Sequence, residues 1–398
     1  MSYNARILQL DCLEDAIEEL KRIGCDTAGV EIMAHKALHR AVKLEKVNPK
    51  AANLLKQTML AKGGEAAVNR SVADFGPEPS DVLLLGTLRQ FRAVREQLSK
   101  QPWGLAAIAR ELRLLLEQQG TNSRHYRWGE KQLVLGRRTA VMGILNITPD
   151  SFSDGGRYFD LSAAVEQAYK MVEEGADIID VGGESTRPYG HNRPIDAEEE
   201  MARVLPVLER LIADLPVPVS LDTYKPATAK AALQMGVHMI NDVWGLQQDP
   251  EMAGIIAQYG VPVVIMHNKA EPGYRDLLGE IAGFLRRSIK IAEEAGIGRD
   301  MVIIDPGIGF GKTRADNLTI MRRLEELKAL DCPLLLGTSR KSFIGTTLDL
   351  SPGERVEGTA ATVALGIAQG ADIVRVHDVK EMARVARMTD AIIRRETE

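Results

Sequence analysis

Apolar residues along this chain follow two regimes. From about residue 139 onward, short continuous apolar runs alternate with longer stretches of helical period. The runs are Ala140–Leu145, Ile178–Val181, Val217–Leu221, His238–Ile240, Pro262–Met266, Val302–Ile304, Pro333–Leu336 and Ile373–Val376. Between them lie stretches such as Ala163–Glu174, Glu198–Asp214, Pro226–Met235 and Arg314–Leu330, with apolar positions three and four apart. Strands that are apolar throughout fit a parallel sheet covered by helices on its outer face. Eight of them, each followed by a helix, predict an α/β fold of the (β/α)₈ TIM barrel type. A doubly wound open sheet is the competing architecture.

The first 117 residues read instead as a mainly helical module. Leu13, Ile17 and Leu20 recur at helical spacing, and further apolar-periodic stretches run over Val30–Val47, Ala51–Leu60, Leu88–Leu98 and Trp103–Leu115. Asp81–Leu85 reads as one short strand. The module shows no metal, phosphate or nucleophile pattern, so it is taken as an interaction or stability element of unassigned role. Residues 118–132, with Gly120, Asn122, Ser123 and Gly129, read as a linker. The barrel would then occupy 133–398, opening with a hairpin of Leu133–Leu135 and Ala140–Met142 that plugs its floor.

Length agrees with this division, since 398 residues suit a barrel of about 250 plus an appended unit. A net charge of −5 gives no basic footprint for nucleic acid. No signal peptide and no run of 18 apolar residues is visible, so the chain reads as soluble, cytoplasmic and without a membrane role. Cys12, Cys25 and Cys332 are odd in number and scattered, which fits free thiols in a reducing compartment and excludes a CxxC metal site.

Active sites of such barrels form at the C-terminal ends of the strands. Polar clusters follow nearly every apolar run. After the first comes NITPDSFSDGG (146–156), whose composition suits a loop over a site and whose Asn146 offers an amide oxygen as a hard ligand for Mg²⁺. After the second comes DVGGESTRP (180–188). Its glycines bring backbone N–H groups close to an anion, Thr186 and Arg187 add donors, and Arg187 is also able to reach a carboxylate.

Asp222, Asn241 and Asp305 end the third, fourth and sixth runs, placing acidic and amide groups around one axis. Met266 ends the fifth, where it would lie beside a bound ring; the adjoining His267 carries a weaker signal. The sixth is followed by PGIGFGK, in which Phe310 offers a flat wall. Gly311-Lys312-Thr313 imitates the end of a phosphate-binding P-loop, but the glycine required at its start falls on Pro306, which rejects that reading. SRKS (339–342) after the seventh run supplies Lys341, a compact ammonium. Arg375 and His377 alternate onto one face of the eighth.

In series and with consistent spacing, NITPDSFSDGG, DVGGESTRP, the DT and IND strand ends, DPGIGFGK, SRKS and RVHDV resemble the dihydropteroate synthase family of pterin-binding enzymes over residues 133–398. The resemblance implies condensation of 6-hydroxymethyl-7,8-dihydropterin pyrophosphate with 4-aminobenzoate, giving dihydropteroate and pyrophosphate. It implies that Asp222, Asn241, Met266, Asp305 and Lys341 bind the pterin. Asn146, Thr186, Arg375 and His377 would serve pyrophosphate, with Mg²⁺ on Asn146. Arg187, Pro188, Phe310 and Ser342 would flank the aminobenzoate. Asp222, Lys341, Arg375 and His377 would be the catalytic set, in a cytoplasmic homodimer. The chain departs from the family pattern at Tyr189, where a glycine is usual, at Asn268-Lys269 in place of Met-Gln, and at Ile308 in place of a common Phe. Rival readings are a non-catalytic pterin-pyrophosphate-binding paralogue and a methyltetrahydrofolate:corrinoid methyltransferase. The second has no need of SRKS, the first loop or the Arg–His pair.

Overall fold

A computed structural model describes residues 3–74, 76, 78–117, 123–147, 161–184 and 195–394. The chain divides into two compact units, Met1–Thr121 and Asn122–Glu398.

In the first unit the order is α1 (Leu13–Ile23), α2 (Thr27–Ala37), β1 (His39–Val47), α3 (Pro49–Ala61), β2 (Glu65–Val68), β3 (Ser80–Thr87), α4 (Leu88–Leu98) and α5 (Leu105–Glu117). Helix starts are set by side-chain caps. Asp26 accepts from the Gly29 amide, and Thr87 with Gln90 forms a capping box at the start of α4. Helices predominate, but a three-stranded antiparallel sheet of order β1–β3–β2 runs through the unit. The apolar stretch Val30–Val47 divides into a helix and a strand. Its second half pairs with β3, His39 against Thr87 through Leu44 against Val82. Period alone does not separate the two, because the strand is fixed by a partner some forty positions away. Leu55, Met59, Leu84, Phe91, Leu98 and Leu112 fill the core.

The second unit runs through β4 (Arg124–Trp128), β5 (Lys131–Leu135), β6 (Ala140–Asn146), α6 (Leu161–Glu173), β7 (Ile178–Gly182), α7 (Ala197–Asp214), β8 (Val219–Asp222) and α8 (Pro226–Gln234). It continues with β9 (Met239–Asp242), α9 (Glu251–Tyr259), β10 (Val263–Met266), α10 (Leu277–Glu294), β11 (Val302–Asp305), α11 (Arg314–Arg322), β12 (Leu335–Leu336), α12 (Ser342–Leu348), α13 (Val356–Ala368), β13 (Ile373–Val376) and α14 (Val379–Ile393). Eight parallel strands pair in the order β11–β10–β9–β8–β7–β6–β13–β12, and a bridge between Ile304 and Leu334 closes the ring. The structure is therefore the closed barrel, and the open sheet is excluded. Arg314–Leu330 is not one helix: α11 stops at Arg322, and Leu324–Leu330 winds on as 3₁₀.

The floor is plugged by a hairpin other than the expected one. Leu133–Leu135 pairs backwards with β4 around Gly129, whose φ of 61° requires glycine-like freedom, while Ala140–Met142 is the first barrel strand. Arg124–Trp128, inside the span read as linker, is thus a strand. Tyr126, Leu133 and Leu135 join the interior layer of Met142, Ile178, Met239, Val264, Ile303, Leu335 and Ile373. Each leucine contributes about 1.5–3 kcal/mol by leaving water. The Tyr126 hydroxyl donates to the Asp300 carbonyl at 3.0 Å, and the Trp128 ring meets the edge of His238 at 5.5 Å.

Candidate active site

With its floor sealed, the barrel presents its chemistry at the C-terminal strand ends. Register puts Asn146, Gly182, Asp222 and Asn241 in one row across β6 to β9. Gly182 is the gap in that row. A Cβ there would sit 3.6 Å from the Asp222 Cβ and 3.8 Å from Asn146 Oδ1. Across β10 and β11, Met266 is level with Asp305.

Arg375, on β13, ties the pit together. Its Nε donates to Asp180 Oδ2 at 2.6 Å and its Nη2 to Asp222 Oδ2 at 2.7 Å. Asn241 Nδ2 donates to the same Asp180 oxygen at 3.1 Å. Asp180, Asp222, Asn241, Met266 and Asp305 are all buried. Yet Asp180 Oδ1 and Asp222 Oδ1 have no hydrogen-bond partner among the described residues. Buried carboxylate oxygens without a donor are costly, and an incoming N–H donor explains their retention.

Burial raises the Asp222 pKa, with Arg375 pulling it down and Asp180 pushing it further up. Burial also raises Asp305, against the opposing pull of Lys341 and the Gly307 amide. For Arg375 burial works against the charge, but Asp180 and Asp222 outweigh it and the pKa is raised. The pit thus holds a fixed guanidinium beside two carboxyl groups, Asp222 and Asp305, that are unusually willing to take a proton.

Lys341 reaches in from the start of α12. Its Nζ donates to the Ile308 carbonyl and lies 4.8 Å from the centre of the Phe310 ring. Its stem crosses Gly309, where a Cβ would come within 3.1 Å, so that glycine is needed for the approach. Burial lowers the Lys341 pKa to about 8, with Asp305 holding it up. His377 sits on the rim, Nδ1 at 3.0 Å from Ser339 Oγ, and Ser342 opens α12 on its exposed side.

Thr186, Arg187 and Pro188 lie outside the described residues, as do Thr148–Gly156 and Tyr189. The root of the second loop is described. Gly183 offers its carbonyl to Arg203 at 2.9 Å, and Glu184 pairs with Lys225 at 2.5 Å.

Asp180 belongs to the network, although the sequence gives it only as the first residue of DVGGESTRP, with no role of its own. A lone carboxylate inside a fully buried run was the signal available. His267 points away from the pit. Its Nδ1 is 2.8 Å from Lys312 Nζ, and its ring packs against Phe284 at 4.9 Å. Lys312, dismissed with the P-loop, is almost completely buried.

Residues 142–377 match the family described as pterin binding enzyme. The dihydropteroate synthase of Bacillus subtilis is 54% identical over 256 residues, 64% of this chain and 89% of that protein. A probable bifunctional folylpolyglutamate synthase/dihydropteroate synthase of Halobacterium salinarum is 42% identical over 390 residues, 96% of this chain and 46% of that protein. Among solved structures, the Xanthomonas albilineans dihydropteroate synthase in complex with 7,8-dihydropteroate superposes with a TM-score of 0.60 at 42% identity, covering 66% of this chain and 96% of that one.

A closed eight-stranded barrel with this carboxylate and amide pit is a pterin-binding enzyme of the transferase class. Within that class, the chain belongs to the dihydropteroate synthase family. Its reaction joins 6-hydroxymethyl-7,8-dihydropterin pyrophosphate to 4-aminobenzoate, giving 7,8-dihydropteroate and pyrophosphate in folate biosynthesis.

Proposed function

We propose that this reaction takes place in the pit at the C-terminal end of the barrel, with a distinct task for each group. The observation that carries the assignment is the pair of buried, donorless oxygens on Asp180 and Asp222 beside Arg375. A pterin presents adjacent ring N–H and amino donors, which such oxygens accept in a planar pair. Asn241 and Asp305 serve the remaining edges, Met266 lies beside the ring, and Lys341 points its ammonium at the pterin carbonyl. Arg375 uses Nε and Nη2 on the carboxylates, which leaves N–H groups for the departing pyrophosphate. His377 adds a second donor on that rim.

Departure of pyrophosphate builds negative charge on oxygen and positive charge on the pterin methylene. Arg375 and His377 stabilise the first, and the field of Asp222 and Asp305 favours the second. An aniline nitrogen is a weak nucleophile, so we infer cleavage of the C–O bond before attack. The first and second loops, with Thr186, Arg187 and Pro188, would keep water from the cation. Phe310 and Ser342 would flank the aminobenzoate.

Mg²⁺ fits as a partner of substrate rather than of the protein alone. Among the described residues no cluster of three His, Cys, Asp or Glu side chains is poised for a metal, whereas Asn146 contributes one hard oxygen at the rim. One amide oxygen together with substrate phosphates and water is a usual Mg²⁺ shell. Bound there, the ion would neutralise charge on the leaving pyrophosphate.

We further propose a homodimer through the late helices, supported by exposed Leu365 on α13 and Met388 and Ile392 on α14. No helix of the described residues is long and apolar enough to cross a membrane, in keeping with a cytoplasmic location.

The deciding experiment follows pyrophosphate release with and without 4-aminobenzoate. Release that depends on aminobenzoate and yields dihydropteroate supports the assignment. Binding of pterin pyrophosphate without turnover would favour a non-catalytic paralogue.

A further inference from the structure

Lys312 is a full-length lysine side chain only 2% exposed, and no step of the reaction uses it. Its Nζ donates to the Gly307 carbonyl at 2.8 Å and the Phe310 carbonyl at 2.9 Å, and meets His267 Nδ1 at 2.8 Å. Three partners match the three donors of an ammonium. The two carbonyls are the two ends of the turn that follows β11, which is itself closed by the Phe310 amide on the Gly307 carbonyl at 3.1 Å. Between those ends, the Ile308 carbonyl accepts from Lys341 and the Gly309 amide donates to Asn317 Oδ1 at 2.7 Å. The turn is therefore gripped from below by Lys312 and from the pit by Lys341. His267 fastens the lower grip to the end of β10, where the Gly307 Cα lies so close to the His267 carbonyl that a Cβ would be 1.9 Å from it.

We propose that Lys312, braced by His267, is a positioning residue that sets the Phe310 ring at the aminobenzoate side of the pit. The inference rests on the assignment of Phe310 to the aminobenzoate pocket. The Asp180–Asp222–Arg375 network lies on other strands, so loss of the grip reaches one substrate more than the other. Burial pushes the Lys312 pKa down to about 7 and that of His267 to about 3, so His267 meets Lys312 as a neutral imidazole that accepts from it and not as a second cation.

The test compares wild type with Lys312→Met, which keeps length and apolar stem but leaves the Phe310 carbonyl without a donor and the Gly307 carbonyl with the Phe310 amide alone. Orphaning a buried acceptor is expected to lower kcat by about tenfold to hundredfold and to raise the KM for 4-aminobenzoate about tenfold. The dissociation constant for pterin pyrophosphate, by calorimetry, should move by less than about threefold. Lys312→Gln, which keeps two N–H donors, should recover part of the loss. Unchanged constants in a folded Lys312→Met, or pterin affinity falling in step with aminobenzoate, would overturn the proposal. If thermal unfolding shows that the methionine variant does not fold, Lys312→Gln carries the test. A weaker loss confined to aminobenzoate then supports the proposal, and unchanged constants reject it. Asp222→Asn run alongside separates the two levels. If that variant binds pterin normally the pit assignment itself fails, whereas its failure to bind beside a silent Lys312→Met rejects only the role of Lys312.

Discussion

The Nη2 of Arg375 donates to Asp222 Oδ2 at 2.7 Å, so the cation proposed for the leaving group and the carboxylate proposed for the pterin are one hydrogen-bonded unit. The second arm, to Asp180, fixes the guanidinium plane. Charge arriving or leaving on either substrate half is felt directly by the other.

Arg375→Lys keeps the charge but not the fork. It can serve Asp180 or Asp222, not both in one plane. We expect kcat to fall about hundredfold, the scale on which loss of one preorganised donor acts, with the fold intact by circular dichroism. Turnover within threefold of wild type would show that the planar pair is dispensable.

Asp222→Asn replaces the donorless Oδ1 or the Arg375-bound Oδ2 with an NH₂ group. Pterin pyrophosphate binding should weaken about tenfold to hundredfold, the cost of a charge-assisted bond. Calorimetric titration measures it, and an unaltered isotherm would remove Asp222 from the pterin pocket.

Asn146→Ala should shift the Mg²⁺ titration of turnover to higher concentration by about tenfold, since one of few protein oxygens is lost. Coincident metal curves for the two proteins would dismiss the ligand role.

Lys341 gives a pH dependence of definite sign. Its pKa falls from the ordinary 10.5 to about 8 because burial disfavours the ammonium. Between those values the unfolded chain holds the proton and the folded one does not, so this group's contribution to stability rises with pH there. In the proposed pocket the pterin is captured by the ammonium, so binding should run the other way. We expect kcat/KM for pterin pyrophosphate to decline above about pH 8 while the melting temperature does not drop from this source. A flat kcat/KM profile through pH 9 would deny Lys341 its donor role.

Gly307→Ala should be among the least tolerated changes in the barrel. The residue has φ of 68° and its Cβ would lie 1.9 Å from the His267 carbonyl. Left-handed strain of about 1–3 kcal/mol adds to that overlap. Loss of soluble protein or a melting temperature lowered by several degrees is expected, read by thermal unfolding.

The barrel was legible because its strands are buried on both faces and its loops concentrate polar residues, two signals that reinforce each other at every strand end. Asp222, Asn241 and Asp305 were visible as acidic or amide groups closing apolar runs. Asp180 was not, since it sits two residues inside β7 with apolar neighbours on both sides. Its role depends on Arg375, 195 positions later. Lys312 was obscured for a related reason: composition marks lysine as a surface residue, and only the fold supplies two carbonyls and an imidazole to receive it. In the first unit, β1 was hidden because its alternation is short: Val42 and Leu44 alternate with exposed Lys43 and Glu45, and the register then shifts before Val47.

The hairpin beneath the barrel orders events during synthesis. Tyr126 finds its acceptor 174 residues downstream, at Asp300, and Trp128 meets His238 on the way. A nascent chain therefore carries Leu133 and Leu135 uncovered until most of the cylinder has left the ribosome. A shortened version that keeps this floor therefore has to begin upstream of Arg124.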